Sequence, residues 1–485
     1  MNAVETVGLT KRYGDVAAVD GLDLAIGRGE LFSLLGVNGA GKTTAVKMLC
    51  GILRPTCGDA FLLGDSIRTR PQAVRAKINI SPQETAVARN LTARENLEMV
   101  AGIYGATREQ ARRKAGELLT QFGLTEAENR RAKTLSGGMQ RRLSIAMALI
   151  TSPQILFLDE PTLGVDVLAR RELWSAIRRL KGSVTILLTT HYMEEAAALS
   201  DRVGIMAARC RHAGGADGAD GHRNAGGRVC GTGRKGGGAS VRMLVFSSRC
   251  GREILRDPLN LAFGLGFPLA VLLLLSMLQA NIPEAVFPIG TLAPGIAVFG
   301  LSFISLFTGM LVAKDRGTSL LSRLYASPLT AAQFIGGYIL PLLPFSLAQS
   351  AFCFAAALCL GLAPSWNVLL ALAVSLPAAL LFIGLGLLAG SLLNDRQVGG
   401  VCGALLTNAS AWLSGAWFDV SLAGGAYEKV AYALPFAHAV DAGRAALAGD
   451  FAGIFPHLWW VLGYAAAVMA LAVFAFQYKM RRDTA

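Results

Sequence analysis

Residues Leu34-Leu35-Gly36-Val37-Asn38-Gly39-Ala40-Gly41-Lys42-Thr43-Thr44 match G-x-x-x-x-G-K-[ST], the spacing of a phosphate-binding P-loop. The chemistry is that of polyphosphate capture. Glycines let backbone N–H groups close around phosphate oxygens, and a helix starting there adds its positive end. Lys42 reaches the β- and γ-phosphates, and the Thr43 hydroxyl ligates magnesium. The motif needs a strand before it and a helix after it. Glu30 to Leu35 reads as a short buried strand and Thr43 to Leu53 as a helix, so the context is right.

Further along stand other residues suited to the same chemistry. Ile155-Leu156-Phe157-Leu158-Asp159-Glu160 reads as a buried strand ending in two carboxylates. Asp159 is placed to hold magnesium through water, and Glu160 to polarise an attacking water as general base. A second strand, Val184 to Thr190, delivers His191, which can hydrogen-bond and sense a γ-phosphate. Gln83, in Ser81-Pro82-Gln83-Glu84, ends a short apolar run and can touch magnesium or the lytic water. Tyr13, in Lys11-Arg12-Tyr13-Gly14, offers a ring for adenine.

Leu135-Ser136-Gly137-Gly138-Met139-Gln140-Arg141-Arg142 precedes a helix read over Met139 to Ile150, which makes a second anion-binding helix N-terminus in one domain. Two phosphate sites in one domain imply that each nucleotide is held between two copies. Asp166 sits in a turn, Leu163-Gly164-Val165-Asp166, expected to face the partner. Between Leu91 and Arg131, Leu97, Met99, Val100, Ile103, Leu118, Leu119 and Phe122 recur at helical intervals and predict a separate helical lobe.

The motifs, taken in order over Val4 to Met206, resemble the nucleotide-binding domain of the ABC transporters. The resemblance implies ATP and Mg2+ as cofactors and an active ATPase. Tyr13 would stack on adenine, and Gly36, Asn38, Gly39, Ala40, Gly41, Lys42, Thr43 and Thr44 would cradle the phosphates. Thr43, Gln83 and Asp159 would serve the metal, Glu160 the proton, and His191 the γ-phosphate. Ser136, Gly137 and Gly138 would close on the ATP of the opposite subunit.

With 485 residues the chain exceeds one core, and its character changes along its length. Charges fill the first two hundred residues and thin out after Asp257, while 53% of all residues are hydrophobic and the mean hydropathy is +0.46. Six apolar stretches, near 259–280, 291–313, 335–361, 367–393, 398–418 and 457–478, approach the ~20 residues that cross a bilayer. The expected architecture is an α/β P-loop domain at 1–206, a linker at 207–240 and an all-α six-helix transmembrane domain at 241–485. Pro341, Pro344 and Pro377 predict kinks within the spans. The net charge of +13 fits loop topology better than nucleic acid. Arg249, Arg252, Arg256, Lys314, Arg316, Arg323, Arg396, Lys479, Arg481 and Arg482 fall on one side, which sets the cytosolic face of an inner-membrane protein with both termini inside. Lys429 and Arg444 fall on the other side. Arg249 to Asp257 read as an interfacial amphipathic helix. There is no signal-peptide core at Met1 to Thr10, and the eight cysteines suggest reduced thiols rather than a disulfide framework.

Lys314 to Thr330 resembles the coupling segment of type-two ABC export permeases, the drug, lipid and polysaccharide exporters. Its apolar side, Leu320, Leu321, Leu324 and Tyr325, is expected to dock beside Gln83. The resemblance also implies a re-entrant helical pair over Tyr427 to Gly449, where polar groups read equally as an exit gate or as loop solvation. An exporter half-transporter follows, acting as a homodimer or paired with a related half. Its cargo would be hydrophobic, amphiphilic or lipid-linked.

The segment Ala207 to Ser240 is Gly-, Ala- and Arg-rich and cannot bury a core. It departs from the family, whose domains continue through a glycine-turned hairpin. It reads as a flexible linker, or as a frameshift or fusion scar. Its Cys210, His212, His222 and Cys230 fit no zinc spacing. An ATP-driven membrane regulator without cargo, and a defective fusion, are the alternative functional readings.

Overall fold

The computed structural model describes residues 2–207, 236–282 and 286–483. The first half is built on two sheets. Strands β1 (Asn2–Tyr13), β2 (Val16–Gly27), β4 (Cys57–Leu62) and β5 (Asp65–Ser66) pair antiparallel in the order β2-β1-β4-β5. Strands β3 (Leu31–Leu35), β6 (Ile78–Ser81), β7 (Ile155–Asp159), β8 (Thr185–Thr190) and β9 (Arg202–Ile205) form a parallel sheet ordered β6-β7-β8-β3-β9. Strands β6, β7 and β8 are buried along their whole length, which explains why they read as unbroken apolar runs rather than alternating ones. In a parallel sheet all strands end at one edge, so Leu35, Ser81, Asp159 and Thr190 deliver their following loops to one place.

Besides a single turn at Pro71–Arg75, the α-helices of this half are α1 (Lys42–Leu49), α2 (Ala93–Ile103), α3 (Arg108–Gln121), α4 (Gly137–Leu149), α5 (Val167–Arg178) and α6 (Met193–Leu199). The expected helical lobe is present as α2 and α3. Each starts with a reciprocal cap, Thr92 with Glu95 and Thr107 with Gln110, which satisfies two otherwise orphaned N–H groups.

The second half is helical: α7 (Gly236–Leu255), α8 (Pro258–Ala280), α9 (Ile289–Arg316), α10 (Ser319–Tyr325), α11 (Ala331–Cys359), α12 (Asn367–Leu392), α13 (395–413), α14 (Pro435–Ala448) and α15 (Phe451–Asp483). Helix α7 begins at Gly236, inside the stretch expected to be linker; Cys210, His212, His222 and Cys230 lie outside the described residues. Five helices, α8, α9, α11, α12 and α15, are long and apolar enough to cross a membrane. The fifth expected span is helical too, but α13 is shorter, carries Gln397, Thr407, Asn408 and Ser410, and is interrupted by a π segment at Val401–Leu406. It still carries the chain from one end of the bundle to the other. Arg316 at its start side donates to Gly390 O (2.8 Å), and Arg444 at the far side donates to Gly415 O (2.7 Å). Helix α9 is the hub, with 83% of its apolar window buried against other helices. Helices α11 and α12 run through Pro341, Pro344 and Pro377 without a break in helical structure.

At the far end, the segment read as a re-entrant pair consists of a short helix, Gly425–Ala433, followed by α14. Its polar groups are paired. Tyr432 donates to Asp441 (2.9 Å), Arg444 donates to Asp441 (3.2 Å), and His438 and His457 share a 2.8 Å Nδ1···Nδ1 contact.

Helix α7 covers most of the segment read as an interfacial amphipathic helix, and the structure shows what its two faces meet. Its polar face is spent on the helical lobe, because its arginines meet acids there. Arg256 binds Glu95 through two bonds (2.6 and 2.8 Å), Arg252 stands 3.3 Å from Glu95, and Glu253 accepts from Asn90 N (3.3 Å). Its apolar face packs on α11 through Phe246 against Phe334 and Tyr338. Arg249 reaches α9, binding Asp315 through both carboxylate oxygens (2.5 and 2.7 Å), and Tyr338 donates to the same Asp315 (2.8 Å).

Helix α10 docks on the P-loop half as the sequence led us to expect, with Leu320, Leu321 and Leu324 buried and Ser319 donating to Glu84 (3.2 Å). The structure adds Arg323. It is only 2% exposed and donates to Ser144 O (2.6 Å) and Oγ (2.8 Å) of α4. Its Nε and Nη1 have no hydrogen-bond partner. Burial lowers its pKa to about 9, only partly opposed by the nearby Tyr104. A buried guanidinium held by one nitrogen is a cost to stability. Arg323→Met is therefore expected to leave thermal stability unchanged or raise it, while weakening the communication between α10 and α4. Thermal unfolding run beside substrate stimulation of ATP turnover checks both halves; a variant less stable than the parent contradicts the reading.

Candidate functional site

The loop between β3 and α1 takes its shape from glycine. Gly39 and Gly41 have φ of 84° and 93°, a region that side chains disfavour. A Cβ on Gly41 would also collide with the Ala18 carbonyl of β2. Lys42, buried at the start of α1, donates Nζ to Gly36 O (2.7 Å) and Val37 O (3.1 Å) and stands 3.4 Å from Glu160.

Glu160 is the point where the other loops meet. Gln83 donates to its Oε2 (3.2 Å), and His191 Nδ1 stands 3.3 Å from the same oxygen. Glu160 is 6% exposed and has φ of 45°, one of three non-glycine residues with positive φ among the described residues. Such a conformation costs about 1–3 kcal/mol and is held only when the surroundings over-determine it. Here they do, since its N–H is fixed by Thr189 O and Thr189 Oγ1, each at 3.1 Å. The strain turns the carboxylate toward Lys42 rather than along β7.

Next to it, Asp159 accepts from Thr43 (3.2 Å) and Thr189 (2.5 Å) through Oδ1. Burial raises the Asp159 pKa, opposed by those two hydroxyls. The Thr43 hydroxyl and the Asp159 carboxylate are hard oxygen donors in contact, and the Gln83 amide lies on the neighbouring Glu160, a set of donor types that fits Mg2+. The raised pKa has a sign that can be tested. Ionised Asp159 weakens the fold as pH rises from the unfolded value near 3.9 through its higher folded value. Asp159→Asn is thus expected to unfold a few degrees higher than the parent at neutral pH without nucleotide, with the gain vanishing below about pH 4. Its magnesium-dependent ATP turnover should be lost. Differential scanning with and without Mg-ATP reads both.

The residue that sequence reading missed is Arg141 of α4. It is buried and makes five hydrogen bonds to backbone carbonyls: Nε to Pro161 (2.7 Å), Nη1 to Pro82 (2.6 Å) and Gln83 (2.9 Å), Nη2 to Asp159 (2.9 Å) and Glu160 (2.8 Å). It therefore fixes the loops that carry Gln83 and Glu160 to one another. Burial lowers its pKa to about 10, against the pull of Asp159, Glu195 and Glu160, so it stays charged at neutral pH.

Other expected site residues stand apart from this cluster. Tyr13 is 48% exposed at the β1–β2 turn, with Lys11 over its ring at 5.1 Å. Asn38 and Gly39 are exposed at the loop tip, Ala40 is buried and Thr44 half-buried. Ser136 caps α4, accepting from Met139 N (3.3 Å), and no hydrogen bond joins Ser136, Gly137 or Gly138 to the P-loop among the described residues. Asp166 caps α5, accepting from Ala169 N (2.9 Å).

Two family models match. The ABC transporter model covers residues 19–163, and the ABC-2 type transporter model covers residues 242–448. The chain belongs to the ABC transporters. It joins in one polypeptide an ABC ATP-binding domain and an ABC-2 type membrane domain. Among curated relatives, the daunorubicin/doxorubicin resistance ATP-binding protein DrrA of Streptomyces peucetius is 44% identical over 205 residues, which is 42% of this chain and 62% of DrrA. The probable multidrug ABC transporter ATP-binding protein YbhF of Escherichia coli is 41% identical over 204 residues, covering 42% of this chain and 35% of YbhF. This ABC transporter thus spans less than two thirds of the length of the relatives it matches. A solved ATP-binding subunit of an ABC transporter aligns with 42% of this chain and 85% of its own, at 28% identity and a TM-score of 0.40.

Proposed function

We propose that this ABC transporter is an ATP-hydrolysing export half-transporter that moves a hydrophobic, amphiphilic or lipid-linked cargo across the cytoplasmic membrane. The observation that carries the reading is the convergence of Lys42, Thr43, Gln83, Asp159 and His191 on or beside the strained Glu160. ATP with Mg2+ would supply the reacting phosphate, with the metal held by Thr43, Asp159 and Gln83. Lys42 neutralises phosphate charge. Glu160 takes a proton from the attacking water. Gln83 and His191, both at one carboxylate oxygen, orient that group, and His191 also meets the γ-phosphate.

Ser136, Gly137 and Gly138 sit on a separate exposed helix start, which suits a site completed by a second copy. A two-fold homodimer, or a pair with a related half, would hold two ATP molecules between its soluble domains. The route to the membrane runs along α4, because Arg141 grips the Glu160 loop and, one turn on, Ser144 takes Arg323 of α10. The ATPase half and the basic ends Arg249, Lys314, Arg316 and Lys479 lie at one end of the bundle, which supports a cytosolic face there. The domain division we propose is 1–206 and 241–485 with the junction between, α7 reaching back to Gly236.

The test is nucleotide-dependent movement of a tracer in proteoliposomes made with the full chain. ATP-driven movement supports export; hydrolysis that moves no tracer supports a regulator without cargo. Peptides spanning Arg209 to Arg242 in the native protein would establish the junction as a true linker and exclude a scar.

A further inference from the structure

Where the two halves meet there is a cavity of about 1090 Å³, opening at the end of the bundle that faces the ATPase domain. That is room for a large ligand. Its floor is apolar, formed by Phe263, Leu306, Phe307 and Met310 of α8 and α9. Its rim carries six cations; Arg249 is paired with Asp315 and Arg316 donates to Gly390 O and Leu393 O, which leaves Arg89 and Lys133 from the soluble half and Lys314 and Lys479 from the helix ends. None of the four has an ion pair among the described residues. The lining also holds four acids. Asp315 and Glu253 face Arg249, Asp257 caps α8, and Asp395 accepts from Arg396 N (2.9 Å) with no ion pair among the described residues, so the lining as a whole stays positive. Topology alone accounts for lysines at helix ends. It does not account for Arg89 and Lys133, which come from the soluble domain, are tied by a Lys133 N to Arg89 O bond (2.9 Å), and border the same space.

We propose that this cavity binds a membrane lipid with an acidic phosphate headgroup, the phosphate among the four cations and an acyl chain along Phe263 and Met310. An apolar floor beside a positive rim at the membrane–water boundary has the polarity of an anionic amphiphile; a cationic one would meet like charge. Both halves line the site. The Arg89 strip is also clamped to α7 by Asn90 N to Glu253 and by Arg256 to Asn90 O (3.1 Å). Occupancy therefore bridges the soluble and membrane domains. The proposal rests on the membrane placement of α8 to α15 given above, and not on turnover of ATP.

The experiment uses the full chain in nanodiscs of phosphatidylcholine doped with a labelled phosphatidylglycerol, with labelled phosphatidylcholine as control. A cation near an anionic lipid contributes on the order of five-fold in affinity, so Arg89→Gln with Lys479→Gln is expected to weaken binding about thirty-fold. Arg89→Gln with Lys479→Glu should weaken it further, and retained ATP binding shows that each variant is folded. Preference for phosphatidylglycerol that the double variant removes supports the site. Equal binding of the two lipids, an unaffected double variant, equal displacement by inorganic phosphate alone, or preference for a cationic amphiphile would each overturn it. ATP hydrolysis is read on the same sample. If hydrolysis is absent while lipid preference persists, the transport reading falls and this one stands.

Discussion

Glu160→Gln is expected to lower ATP turnover by about 10²–10⁴-fold while leaving Mg-ATP bound. The amide keeps the volume and one acceptor oxygen, so Gln83 can still donate to the side chain, and the strained backbone stays pinned by Thr189. What is lost is the carboxylate's ability to take a proton, and with it the charge that Lys42 faces at 3.4 Å. Removing that acid also removes repulsion toward the γ-phosphate, so nucleotide dissociation should slow. Single-turnover hydrolysis beside equilibrium nucleotide binding distinguishes the two effects. Turnover near the parent rate would transfer the base role to another group and leave the φ of 45° at Glu160 without a functional reason.

Arg141→Ala is expected to be the most damaging substitution in the soluble half. It removes five hydrogen bonds at once and takes their shared donor from the carbonyls of Pro82, Gln83, Asp159, Glu160 and Pro161, of which Glu160 O keeps Leu163 N (3.2 Å). Breaking a buried, charge-assisted network of this kind costs about 3–5 kcal/mol. The loops bearing Gln83 and Glu160 lose their common anchor, so turnover should fall with stability. Arg141→Lys tests geometry separately from charge. An ammonium has three donors at one point and cannot span carbonyls on two loops. It should recover part of the stability and little of the turnover. Chemical denaturation and steady-state ATPase measured on the same preparations decide this; a Lys variant with parental turnover would reduce Arg141 to a buried counter-charge.

The sequence showed the residues that do chemistry more clearly than those that hold them. Lys42, Gln83, Asp159, Glu160 and His191 were legible because each follows a short apolar run, and a parallel sheet brings such run-ends to one edge. Helix α10 was legible because its apolar residues lie in a charged loop. Arg141 was visible in the motif, but nothing in local spacing distinguishes it from Arg142, which pairs with Glu172 at the surface. Arg249 with Asp315, 66 residues apart, and Arg323 with Ser144, 179 apart, are contacts that no local period encodes. The same holds for α7. Its periodicity announced an amphipathic helix, but the partner of its polar face was set by Glu95 and Asn90, far away in the chain. Hydropathy made the α13 stretch a full span, whereas the helix itself runs only over 395–413 and carries Gln397, Thr407, Asn408 and Ser410.

The docking of α7 and α10 on the soluble half bears on why the two halves share a polypeptide at all. Glu95, Asn90, Glu84 and Ser144 on one side meet Arg256, Glu253, Ser319 and Arg323 on the other, an interface with its own polar lock and its own apolar fill. Halves that recognise one another in this way need no covalent tether to assemble. A native linker at the junction would instead raise their local concentration and fix their stoichiometry at one to one. A gene encoding the two as separate subunits would have to balance their synthesis; with the junction a true linker, equal numbers would come from every ribosome that finishes.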